Sequence, residues 1–184
     1  AIIDKIYSRG KRVELFARDK HKNWATWGNE PWTKSFLNTG FAVYGHEILT
    51  RLHKSGKYEL AELGSYAATQ HQGAAQLPWK FYGVYPDSVR DPKTGNSAPH
   101  PQQQQIYNSK HTNQFGEWRF DDVLLNFKPD IVIDNRDWWM VEFEERSIYR
   151  DFFVWMLIVP VDGHPQKVQW MKTYERADYV FGYS

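Results

Sequence analysis

Two apolar runs set the pattern of this chain: IVI at 131–133 and FFVWMLIV at 152–159. Both are short and rich in β-branched or aromatic residues. Polar groups follow each at once, with Asp134, Asn135, Arg136 and Asp137 after the first and Asp162 after the second. The roughly eighteen residues between the runs are enough for a crossover helix, and that order predicts a buried parallel β-α-β unit. In open parallel sheets ligands sit beyond the carboxyl ends of the strands, so the charged residues fall where such a protein does its chemistry.

The rest of the chain extends the pattern. Residues 2–7 read as the end of a helix and RVELFA (12–17) as a strand; 18–39, rich in Lys, Asn, Trp, Gly and Pro, reads as a long loop. From Gly40 the period becomes helical through Val43, Ile48, Leu49 and Leu52, and Ser55-Gly56 stops it. YELAELGSY (58–66) predicts a strand. LPWKFYGVYP (77–86) predicts an aromatic strand near a sheet edge, because Pro brackets it. The polar, Gln-rich stretch 87–114 predicts a long surface excursion with solvated glutamines. Helical spacing returns over 115–127 through Trp118, Val123, Leu124 and Phe127, and Pro129 opens the next strand. A helix is expected around 165–176, with Pro165 in its first turn, and a final strand in ADYVFGYS. The expected architecture is therefore a single α/β domain over 1–184: a Rossmann-like, doubly wound, mostly parallel sheet with helices on both faces.

Composition narrows the function classes. The chain has 184 residues, 41% of them hydrophobic, which is enough for a sizeable core. Aromatics reach 17%, with nine Trp, more than a core alone calls for, and suit sites that stack on sugars or bases. A net charge of +1 gives no basic field toward nucleic acid or acidic lipid. The absence of Cys excludes disulfides and thiolate metal sites and fits a cytoplasmic protein. No apolar run approaches the roughly 20 residues of a membrane span, and AIIDKIYSRGKR is too charged for a signal peptide.

Three segments are candidates for chemistry. NTGFAVYGHEIL (38–49) opens a helix with a glycine loop, whose N–H groups and helix dipole suit an anion; a plain capped helix is the alternative. IDNRDWW (133–139) places Arg136 and Asp137 at a strand end, either to recognise a sugar hydroxyl or phosphate or as a local ion pair and helix cap. Trp138 and Trp139 read as core before platform. VPVDGHPQ (159–166) offers Asp162, as ligand or cap, and His164, as general base or surface residue. His46 on the glycine-loop helix is a second base candidate. The remaining histidines lack ligand spacing, so no metal is expected.

Residues 37–184 resemble the N-terminal half of a GT-B glycosyltransferase of a phage and bacterial group related to the retaining family 4 enzymes. LNTGFAVYGHEILTRLHKSGKYELAELGSY, PWKFYGVYPD, QFGEWRFDDVLLNFKPDIVIDNRDWWM and FVWMLIVPVDGHPQKVQWMKTYERADYVFGYS carry the likeness in consistent order. It implies an acceptor-side domain that helps move a sugar from a nucleotide-diphosphate sugar to a hydroxyl acceptor, with no resident cofactor. By the same likeness Thr39, Gly40 and Phe41 lie near the donor diphosphate, and Asp137 and Asp162 line the cleft. The implied partner is a C-terminal nucleotide-sugar domain or a second copy of the chain; a non-catalytic sugar- or nucleotide-binding module is the alternative. Residues 5–30 resemble instead the C-terminal segment of adenine methyltransferases of the mRNA and phage type, which places Arg18, Asn29 and Glu30 at the ribose of S-adenosylmethionine. The D-P-P-W tetrad of that family's chemistry does not occur in the chain.

Overall fold

A computed structural model describes residues 22–28, 40–161, 163 and 165–183. Six parallel strands form one sheet: β1 (Lys22–Gly28), β2 (Tyr58–Gly64), β3 (Lys80–Gly83), β6 (Ile131–Asp134), β7 (Val154–Pro160) and β8 (Tyr179–Tyr183), in the order β3-β2-β1-β6-β7-β8. Helix α1 (Gly40–Lys54) connects β1 to β2, α3 (Glu117–Phe127) leads into β6, α4 (Trp138–Glu145) joins β6 to β7, and α5 (Val168–Arg176) joins β7 to β8. The fold is Rossmann-like α/β, with the reversal of strand order at β1 and β6.

The alternation of side chains along the strands assigns the two layers. Val132, Trp155, Leu157 and Val159 point to one face and pack with Phe120, Val123, Leu124 and Phe127 of α3 and Val141 and Phe143 of α4. Ile131, Ile133 and Met156 point to the other and join Leu49 of α1, Leu60 of β2 and Trp79. Because both faces are covered, β6 and β7 read as continuous apolar runs in the sequence. The end of α1 is set locally: Arg51, His53 and Lys54 occupy the last turn, where cations suit the helix dipole, and Gly56 takes a left-handed φ of 64°.

The expected strands over 58–66 and 77–86, the latter at a sheet edge, and the helices over 40–54 and 115–127 are all present, the helix over 40–54 in full and the other three shortened. Three expectations are corrected. Residues 22–28 are not loop but β1, paired in parallel with β2 on one side and β6 on the other. KNWATWG has no continuous apolar run and lies among loop-forming residues, so its strand state rests on pairing from both sides. The 87–114 stretch is not a featureless excursion. It forms a hairpin of β4 (Ser88–Arg90) and β5 (Ser97–Pro99), helix α2 (Pro101–Ser109) and a 3-10 turn over His111–Phe115. Gln103 accepts from the Asp87 N–H (2.7 Å) and from Arg119 (3.0 Å), so this glutamine is a tie rather than a solvated side chain. Pro165 lies ahead of the last helix, whose N-cap is Lys167. The helix end at 2–7 and the strand at 12–17 fall outside the described residues.

Candidate functional site

The chain leaves β1 toward β2 on one side, while β6 leads to β7 on the other, and beyond the carboxyl ends of the strands at such a reversal lies the crevice in which open α/β sheets take ligands. Gly28 ends β1, Asp134 ends β6, and Trp27 of β1 pairs in register with Asp134. Helix α1 starts over this point. A Cβ built on Gly45 would lie 3.9 Å from Asn135 Nδ2, so the first turns of the glycine-led helix rest against the residue that follows β6. Gly40 and Phe41 open that helix. The structure thus brings residues 40–49 together with the 133–139 segment, with Asp137 half-buried at the N-cap of α4. Thr39, Asp162 and His164 lie outside the described residues.

Of the two roles the sequence leaves open for Arg136, a ligand contact or a local ion pair, the structure shows the ion pair. Only 1% exposed, Arg136 points into the molecule. Its Nε donates to Asp134 Oδ1 (2.9 Å) and Oδ2 (3.0 Å), Nη2 donates to Asp134 Oδ2 and to Glu144 Oε1 (3.1 Å), and Nη1 donates to the Phe115 carbonyl (2.6 Å). Trp155 Nε1 donates to Glu144 Oε2 at 2.5 Å. One guanidinium therefore faces two carboxylates in a space closed to water. Two negative charges against one positive leave an excess that the low-dielectric interior disfavours. Burial pushes the Glu144 carboxyl well above the usual carboxylate range and Asp134 pushes it further, against the pull of Arg136 and the Trp155 indole. Burial opposes the charge of Arg136, but Asp134 and Glu144 outweigh it and raise its pKa.

This cluster is the keystone of the rim. It joins the end of β6 to the last turn of α4, to β7 and, through the Phe115 carbonyl, to the turn that closes the Gln-rich excursion. The excursion leaves from the carboxyl end of β3 and returns to the start of α3, so it stays at the same end of the sheet as the crevice. Arg119 fastens its other side, donating to Asp87 Oδ2 (2.7 Å), Gln103 Oε1 (3.0 Å) and Thr69 Oγ1 (3.2 Å). Burial disfavours the Asp87 charge, but the hydrogen bonds and charge of Arg119 win and hold its pKa below the ordinary value.

His46 lies beside Trp79 and Thr50. Its ring lies 6.2 Å from that of Trp79 and 3.3 Å from Thr50 Oγ1, and burial lowers its pKa. Neighbouring positions on α1 thus look to different flanks: Gly45 toward β6, His46 toward Trp79 just ahead of β3. Trp138 packs beside Trp170 (6.2 Å), but Trp139 remains 39% exposed, more platform than core. Two features of the rim gave little sign in the sequence. Glu144 sits in an ordinary-looking EFEER run, and only its burial against Arg136 marks it. Ser65, directly after β2, buries a hydroxyl with no hydrogen-bond partner among the described residues, and Tyr66 beside it holds a left-handed φ of 61°, a strained state for a bulky side chain.

No group of three or more His, Asp or Glu side chains gathers as metal ligands among the described residues, and none of their helices is long and apolar enough to cross a membrane. No protein-family model matches this chain, and no curated protein is similar to it in sequence.

Proposed function

We propose that this chain is the acceptor-side domain of a glycosyltransferase that moves a sugar from a nucleotide-diphosphate sugar to a hydroxyl acceptor. The observation that carries the reading is the meeting of the glycine-led head of α1 with Asn135 where the strand order reverses. In this reading the free N–H groups of the first turn, from Gly40 and Phe41 with Thr39 before them, face the diphosphate. They stabilise negative charge as the leaving group departs. Asp137, and Asp162 after β7, take hydroxyls of the sugar or acceptor, and His164 is the base candidate nearest to them in sequence. Arg136 holds the rim in place and makes no contact with substrate. Catalysis then rests on positioning, with a nucleotide-binding domain or a second copy completing the cleft.

Saturation-transfer NMR with uridine, guanosine, adenosine and thymidine diphosphate sugars tests this. The expected result is contact that depends on the diphosphate and is lost when Gly45→Trp fills the space before Asn135. Binding of S-adenosylmethionine without any nucleotide sugar would overturn the assignment. Binding without transfer or hydrolysis, even with a partner domain supplied, would make the chain a binding module.

A further inference from the structure

Beside the crevice, at the head of α4, three aromatic rings form a ledge. Trp139 and His111 are stacked, with ring centroids 6.3 Å apart and planes 21° from parallel. Phe115 stands edge-on to both, 5.2 Å from each, at 85° to Trp139 and 76° to His111. Phe115 is buried, whereas His111 and Trp139 are exposed. The ledge is rigid by construction. Its base is fixed by the hydrogen bond from Arg136 to the Phe115 carbonyl, and the His111–Phe115 turn ends at Gly116, whose φ of 113° is outside the ordinary range of other residues. A stacked, edge-supported pair left open at the ligand end of an α/β sheet has lost its side-chain freedom before anything binds, which is what a stacking site requires.

We infer that the Trp139–His111 ledge is a sugar-binding subsite that takes the apolar face of a neutral pyranose ring of the acceptor. The class of ligand follows from the charges around the ledge. Lys110 and Arg146 both lie against Glu117, at 2.5 and 3.9 Å, and Arg136 is held by Asp134 and Glu144. Lys110 and Arg146 thus share one carboxylate, and Asp137, two residues before Trp139, brings this group to no net charge, which leaves an anionic ligand little net attraction. A pyranose ring offers C–H groups to the indole face and hydroxyls at its edge, where Asp137, two residues before Trp139, is a carboxylate at hand. A nucleobase would stack as well, but the phosphates of its nucleotide would meet a group with no net charge. The subsite rests on the reading of the chain as an acceptor-side domain and names the acceptor class as a glycan or glycoside.

The test is saturation-transfer NMR on the purified chain with a panel of neutral methyl glycosides and short oligosaccharides, alongside nucleosides. The expected result is transfer to one ring face of at least one glycoside. Trp139→Ala weakens it by about tenfold, the loss of a stacked ring; His111→Ala weakens it less, and Trp170→Ala leaves it unchanged. If Trp139→Ala does not fold, Trp139→Phe, which keeps a smaller flat face, gives intermediate binding. Absence of glycoside contact across the panel, contact that survives Trp139→Ala or Trp139→Phe undiminished, or nucleosides in place of glycosides at the ledge would each overturn the inference. Nucleotide-sugar contact measured in the same samples separates the two proposals. Its loss with glycosides still bound removes the donor reading, while its retention without glycosides removes only the ledge.

Discussion

The two ends of the sheet solve opposite problems. At the amino end, where β6 and β7 begin, an apolar recess of about 170 Å³ is walled by Leu124, Leu125, Pro129, Tyr149, Phe152 and Phe153. Lys128 closes α3 there in a left-handed turn, its N–H on the Leu124 carbonyl at 2.8 Å. That end is held by hydrophobic burial. At the carboxyl end the chain buries Asp134, Arg136 and Glu144 completely, and hangs a polar segment of some thirty residues on them and on Arg119. Buried charge is a poor route to stability, because desolvation offsets most of the attraction. It is, however, directional, and directional bonds fix a rim in one geometry where apolar contacts would let it slide. The contrast places stability at one end and the positioning of side chains at the other.

The sharpest way to break this contrast is to remove the guanidinium. Arg136→Met leaves Asp134 and Glu144 buried without their cation and should cost about 3–5 kcal/mol in urea unfolding, with loss of protease resistance in the 87–114 segment. A loss within about 1 kcal/mol would mean that the cluster is not what holds the excursion. A cavity in the apolar layer gives the comparison value. Leu124→Ala should cost roughly 3 kcal/mol by the same measurement, with no change in proteolysis of 87–114.

A third variant sharpens the electrostatic side. Glu144 has a raised pKa in the folded state, so the fold keeps a proton that the unfolded chain releases above about 4.5. The stability this group contributes is complete below that value and is lost as pH rises through the folded-state pKa. Glu144→Gln cannot ionise, so its melting temperature should fall less than that of the wild type between about pH 5 and about pH 8. Asp87 and Glu117, whose pKa values are lowered, act in the opposite sense and lose their contribution as pH falls. They are common to both proteins, so the difference curve isolates Glu144; parallel curves would exclude a retained proton. The smallest effect belongs to Gly45→Ala. The added methyl meets Asn135 only at ordinary contact distance, and alanine favours the helix, so stability should rise by about 0.5–1 kcal/mol. A decrease would mean that α1 sits closer to the β6 end than 3.9 Å allows.

Much of the fold was legible because it depends on local pattern. Burial on both faces made β6 and β7 uninterrupted apolar runs, and the glycine stop after α1 has the dihedral that only such residues adopt easily. β1 was hidden because KNWATWG carries no period of its own and is a strand through its two neighbours. The 87–114 segment was read as loop because its anchors are few and distant: Tyr107, Phe115 and the Arg119 bonds define it, and none shows in a window of polar residues. For Arg136 the sequence left a ligand contact and a local ion pair open, and the structure shows the ion pair, turned inward. Sequence shows that a charge follows a strand, not which way it turns, and the deciding partners lie 8 and 21 residues away, at Glu144 and Phe115.

The chain by itself determined the parallel α/β layering and the gathering of polar groups after each buried strand, because hydrophobic period and turn chemistry are properties of neighbours in sequence. Only the tertiary structure decided that β1 runs through the middle, that Arg136 locks the rim from within, and that Trp139 and His111 stand open beside the crevice. Those outcomes depend on desolvation and on pairing between distant segments, which no local pattern encodes.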